Sequence, residues 1–136
     1  MTEATTTSPA TTARDAVERY VEFWNTGAAD AQQRLAPETF ADGVSSHVPL
    51  GVMRGVDELI GFRNEFAQRT PDYVFRARTE PDTHHDRARL QWELVAGGAT
   101  FATGTDVLEL DAAGRIASVT GFLDQAPEGF DPDAHH

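Results

Sequence analysis

Apolar residues recur first with a helical period and then, from Tyr73 onward, with a period of two. Val17, Tyr20, Val21 and Trp24 stand at i, i+3, i+4 and i+7, which makes one face of a helix. Thr12 and Asp15 mark its start as a capping box with Asp in place of Glu, and Asn25-Thr26-Gly27 marks its end. A short second helix is predicted over 29–36, stopping before Pro37. A strand over 44–48 breaks at Pro49 and Gly51. A third helix follows Gly55, with Leu59, Phe62 and Phe66 on one face. Four strands are then predicted, over 73–79, 87–95, 100–110 and 115–123. Their links are turn sequences: Glu80-Pro81-Asp82, Gly97-Gly98 and Asp111-Ala112-Ala113-Gly114. Links this short join antiparallel neighbours, because a parallel crossover needs a dozen or more residues. Helices grouped ahead of a sheet predict an α+β domain, with the helices covering one sheet face.

Alternation assigns the faces. Leu90, Trp92 and Leu94 share one side of their strand, and Arg89, Gln91 and Glu93 the other. On the next strand Asp106 falls in line with Gly104, Leu108 and Leu110, while Thr103, Thr105, Val107 and Glu109 point oppositely. A carboxylate on an apolar face is costly unless it is hydrogen-bonded or protonated. Asp106 therefore either accepts backbone donors in a half-open strand or serves a pocket. Tyr20 and Trp24 lie on the buried face of the first helix, as core aromatics or pocket lining.

Composition narrows the partners. The 136 residues carry 22 acidic side chains against 11 basic ones, all of them arginine, and the formal net charge is −11. That length suits one domain. The acidic excess argues against nucleic acid and against an anionic membrane surface. No run of about 18 apolar residues occurs, and the N-terminus lacks a signal peptide's basic and apolar regions, so a cytoplasmic protein is expected. Without cysteine there is no disulfide, thiolate metal site or thiol nucleophile. Residues 1–12 are small and polar, a disordered lead-in, and 125–136 form an acidic tail; the ordered domain is expected over 13–124. The terminal His135-His136 is set aside.

Three segments resemble the nuclear-transport-factor-2-like superfamily, and within it the SnoaL-like polyketide cyclases and ketosteroid isomerases. They are Arg19-Tyr20-Val21-Glu22-Phe23-Trp24-Asn25-Thr26-Gly27; Pro49-Leu50-Gly51 with Arg54-Gly55-Val56-Asp57-Glu58-Leu59; and Gly104-Thr105-Asp106-Val107-Leu108-Glu109-Leu110 with Gly114-Arg115-Ile116 and Gly121-Phe122. The resemblance implies an α+β cone, a curved antiparallel sheet wrapped around helices as in cystatin-like barrel rolls, with a pocket at its open end. It implies a cofactor-independent isomerase or cyclase acting on a small apolar ligand, polyketide- or terpenoid-like, and a homodimer formed through the outer sheet face. Tyr20 matches a tyrosine that donates to a developing oxyanion, and Asp106 matches the strand carboxyl used as acid or base. Trp24, Val48, Phe62, Phe66, Trp92 and Leu108 would line the pocket. The general-base position of the steroid isomerases is Val48 here, which argues against their reaction, and the cyclases' histidine near Trp92 is missing. His47 would supply a base if a bulge turned it inward. His84-His85 reads as a turn pair, and no metal site or cofactor is expected. The alternative is a ligand-binding or dimerising module on the same scaffold, without catalysis.

Overall fold

A computed structural model describes residues 9–126. The lead-in over 1–8 and the tail over 127–136 lie outside the described residues. Three helices, α1 (Pro9–Trp24), α2 (Ala29–Thr39) and α3 (Val56–Arg69), are combined with strands β1 (Phe40–Val48), β2 (Gly51–Arg54), β3 (Val74–Ala77), β4 (Asp82–His84), β5 (Arg87–Ala96), β6 (Ala99–Leu110) and β7 (Ile116–Gln125). The first helix begins at Pro9, so Thr12 lies within it and not at its cap. Proline suits a first helical position because its missing N–H needs no partner there. Pro37 does not end α2, because it sits in the last turn. There the Thr39 hydroxyl donates to the Leu35 carbonyl at 2.8 Å, and the Phe40 N–H donates to the Ala36 carbonyl.

The strands form one sheet in the order β2-β1-β7-β6-β5-β3, with β4 also paired to β5. Pairings β5–β6, β6–β7, β3–β5, β4–β5 and β1–β2 are antiparallel, but β1 runs parallel to β7. This corrects the expected cone. The sheet is open, with free edges at β2 and β3, and mixed, so it is not an all-antiparallel barrel roll. The parallel pair arises because the chain between β1 and β7 contains β2, α3 and the whole β3–β6 meander, ample length for a crossover. Two short strands also lie beyond the sequence reading. β2 closes a hairpin with β1 over Pro49-Leu50, and β4 occupies residues expected to be a turn.

The helices cover one face. Tyr20 and Phe23 from α1 meet Phe40 edge-on, and Leu59, Leu90, Leu108, Ile116 and Val119 are fully buried with them. Each such side chain contributes roughly 1.5–3 kcal/mol when removed from water. Among the described residues no helix is long and apolar enough to cross a membrane.

Candidate functional site

Strand register places Asp106 in the middle of the covered face, opposite Leu90 on β5 and Gly121 on β7. Only 5% of its surface is exposed. Glycine at two positions makes room for it. A Cβ on Gly104 would lie 2.2 Å from Trp92 Cζ2, so only glycine lets the Trp92 indole lie against β6. From there the indole Nε1–H donates to Asp106 Oδ1 at 2.9 Å. A Cβ on Gly121 would lie 2.7 Å from Asp106 Oδ1 and 3.0 Å from Val48 Cγ1. The Tyr20 hydroxyl, delivered by α1, donates to Asp106 Oδ2 at 2.6 Å.

Each carboxylate oxygen thus accepts one hydrogen bond from a neutral donor. Among the described residues Asp106 takes part in no ion pair. Burial pushes its carboxyl up to about 6, against the opposing pull of the Tyr20 and Trp92 hydrogen bonds, which favour the ionised form. Burial also raises the Tyr20 phenol well above its ordinary value. The neighbouring Asp106 charge and hydrogen bond raise it further, and the Trp24 side chain opposes them. Tyr20 therefore stays a proton-bearing donor while Asp106 is poised to gain or lose a proton near neutrality.

Asp106 and Tyr20 lie at the floor of a cavity of about 140 Å³. Trp24, Val48, Phe62, Phe66 and Trp92 line it, as read from the sequence, and Trp92 also serves as a donor to the carboxylate. Leu108 does not: it is fully buried on the covered face but absent from the lining, because it lies one inward position further along β6 than Asp106. His47 does not either. It is exposed, in register with Val52 and Thr120, because the bulge in the β1–β7 pairing falls between Phe40 and Ser45 and leaves the alternation at His47 intact. Thr103, expected outside, is 6% exposed. The sequence reading missed Met53, Tyr73, Phe75, Leu94 and Gly121. For Gly121 the signal was available as a glycine in strand β7 that pairs with Asp106. Leu50 and Phe122 also border the cavity and are exposed, so they mark its mouth.

Polar side chains outside the cavity hold its walls. The Asn25 amide donates to the Phe75 carbonyl at 2.7 Å and accepts from the Phe75 N–H at 2.9 Å, so it pairs with the free edge of β3 as a further strand would. The Arg63 guanidinium donates to the Trp24 carbonyl at 3.1 Å and to Asn64 Oδ1 at 2.9 Å, and lies 5.5 Å from the Tyr73 ring centre. A cation at the C-terminus of α1 complements the helix dipole. Tyr73 donates its hydroxyl to the same Trp24 carbonyl. His84 and His85 are exposed at the β4–β5 turn, with their Nδ1 atoms 3.4 Å apart and His85 at a φ of 49°.

The chain is thus an α+β domain that holds a hydrogen-bonded carboxylate beneath an aromatic cavity, and its sequence places it within one family of that fold. The SnoaL-like domain family matches residues 17–119, and the protein belongs to that family. A proposed isomerase of the SnoaL-like family from Agrobacterium tumefaciens shares 30% identity over 84% of this chain and 98% of its own, with a TM-score of 0.79. A proposed SnoaL-like polyketide cyclase from Jannaschia sp. has a TM-score of 0.69 at 18% identity, covering 88% of this chain and 90% of its own. A protein of the nuclear-transport-factor-2-like group from Cytophaga hutchinsonii has a TM-score of 0.62 at 14% identity, covering 82% and 89%. The last two establish likeness of fold. No curated protein sequence matches the chain.

Proposed function

We propose that the protein is a cofactor-independent isomerase or cyclase that moves a proton on a small, predominantly apolar ligand. Asp106 is the acid/base and Tyr20 the hydrogen-bond donor beside it. The observation that carries this reading is the 2.6 Å bond between the Tyr20 hydroxyl and Asp106 at the floor of an aromatic cavity. Proton transfer requires a group within reach whose pKa lies near the working pH, and a carboxyl pushed up to about 6 meets that need. The aromatic lining excludes water and strengthens electrostatic interactions inside. Family likeness to a proposed isomerase and a proposed cyclase supports the reaction class, although a shared fold alone does not define chemistry.

The reading is tested without knowing the natural substrate. In D2O, a neutral cyclic ketone such as cyclohex-2-enone exchanges its α-protons slowly. The wild-type protein is expected to raise that rate above buffer, and Asp106→Asn to return it to the buffer rate while retaining ketone binding. Exchange at the buffer rate by wild type with the ketone bound would overturn it. The second reading, a binding module without turnover, draws on the two donors that already engage Asp106. It expects equal ketone affinity in both proteins and no exchange in either. A dimer through the outer sheet face belongs to the same proposal, built on Thr105 and Val107 of β6, with Thr103 of the expected set buried instead. Light scattering that returns a monomer at micromolar concentration would remove it.

A further inference from the structure

The cavity has a charge pattern that its shape alone does not require. Eight aromatic residues line it, among them Trp24, Phe62, Phe66, Tyr73, Phe75 and Trp92, and the one carboxylate among the described lining residues lies at its floor. No arginine belongs to that lining, and the chain contains no lysine. The nearby Arg63 guanidinium is committed to the Trp24 carbonyl and Asn64. It already rests against the Tyr73 ring, so one aromatic wall residue is engaged by a cation from outside the cavity. A buried carboxylate served only by neutral donors leaves its charge uncompensated, which is unfavourable. Aromatic rings attract cations through their quadrupole, and rings gathered around a carboxylate form the recognition chemistry of ammonium groups.

We infer that this cavity selects a compact ligand carrying a protonated or quaternary amine, with the cationic end at Asp106 and the apolar remainder against the aromatic lining. The volume of about 140 Å³ is close to that of an engineered cavity that admits benzene, so one ring or a branched alkyl group with a short charged arm fits. A neutral ligand of equal shape gains only the apolar contacts, and an anion meets the Asp106 charge with no cation to receive it. The inference rests on this cavity being the ligand site and names the ligand class.

The test is the affinity order of benzylammonium, benzyl alcohol and benzoate at pH 7.5, measured by calorimetry at two salt concentrations. Benzylammonium is expected to bind at least tenfold more tightly than benzyl alcohol, with benzoate weakest. The preference should persist at high salt, because a buried pair is screened far less than surface charge. The two Trp indole N–H signals, from Trp24 and Trp92, report the location by NMR and should both move. Asp106→Asn is expected to bring benzylammonium and benzyl alcohol to similar affinity. Benzyl alcohol binding as tightly as benzylammonium to wild type would overturn the inference, as would an ammonium effect that vanishes with salt and leaves both indoles unmoved. Neither result bears on α-proton exchange of a neutral ketone, so the two readings fail separately.

Discussion

Tyr20 on α1 and Asp106 on β6 stand 86 residues apart in sequence and are joined by a 2.6 Å hydrogen bond in which the phenol donates. The bond ties the first helix to the centre of the sheet and holds the carboxyl below where burial alone would put it. Tyr20→Phe removes the donor and keeps the ring. The Asp106 carboxyl is then expected to titrate above about 6, moving the rise in activity with pH upward. Stability should fall by about 1–3 kcal/mol, because a buried acceptor loses its partner. Rate against pH for both proteins, with denaturant titration beside it, checks both effects; an unmoved inflection would count against the coupling.

Asp106 also makes stability depend on pH in a direction opposite to most carboxylates. Its ordinary value is 3.8 and burial raises it to about 6 in the folded protein. Between those values the native state holds a proton that the unfolded chain has released, so this group's contribution to unfolding free energy falls as pH rises. Above about 6 the penalty is fully present, on the order of 3 kcal/mol. Asp106→Asn abolishes that slope. The difference in unfolding free energy between variant and wild type should therefore grow in the variant's favour from pH 4 to 6.5 and then level off. Parallel curves across that range would contradict it.

The sequence made Asp106 legible because period-two alternation is strict along β6 from Gly104 to Leu110, and a charged residue in line with Leu108 and Leu110 stands out. Tyr20 and Trp24 were legible for the corresponding reason on a helix. Local patterns do not encode which strands become neighbours. The parallel β1–β7 pairing, the open edges of the sheet and the pairing of Gly121 with Asp106 depend on contacts far apart in the chain. Leu108 shows the same limit within one strand. Its inward face was correct, but whether an inward residue meets the cavity or the packed core depends on its depth along the sheet. The two-residue hairpin at Pro49-Leu50 was hidden because proline and glycine read as an end to strand structure, while the chain reverses there and pairs again.

His47 lies outside the machinery if its outward position governs. It is exposed and in register with Val52 and Thr120, away from the cavity. His47→Gln is expected to leave turnover, its pH profile and ligand affinity within about twofold of wild type, and stability within about 0.5 kcal/mol, as for ordinary surface changes. A loss of activity comparable with that of Asp106→Asn would require the β1 end to rearrange when ligand binds.

Gly104 and Gly121 flank Asp106 on different sides, and alanine at each should fail differently. At Gly104 the added methyl would sit 2.2 Å from Trp92 Cζ2 and 2.5 Å from the Phe122 carbonyl oxygen, contacts that cannot exist, so the indole must leave. Overpacking of this kind costs about 1–3 kcal/mol, and the loss of the Trp92 donor adds to it. Gly104→Ala is therefore expected to destabilise the fold strongly, change the Trp fluorescence and raise the Asp106 pKa. At Gly121 the obstruction is the carboxylate itself, 2.7 Å away, with Val48 at 3.0 Å. Gly121→Ala should cost less stability, because the Val48 side chain at the cavity wall can give, but it should hinder access to Asp106 Oδ1. Ligand affinity and turnover are expected to fall at least tenfold while Trp fluorescence stays near that of wild type. If Gly121→Ala destabilised as much as Gly104→Ala and left affinity unchanged, Gly121 would be a packing glycine and not the opening through which a ligand meets the carboxylate.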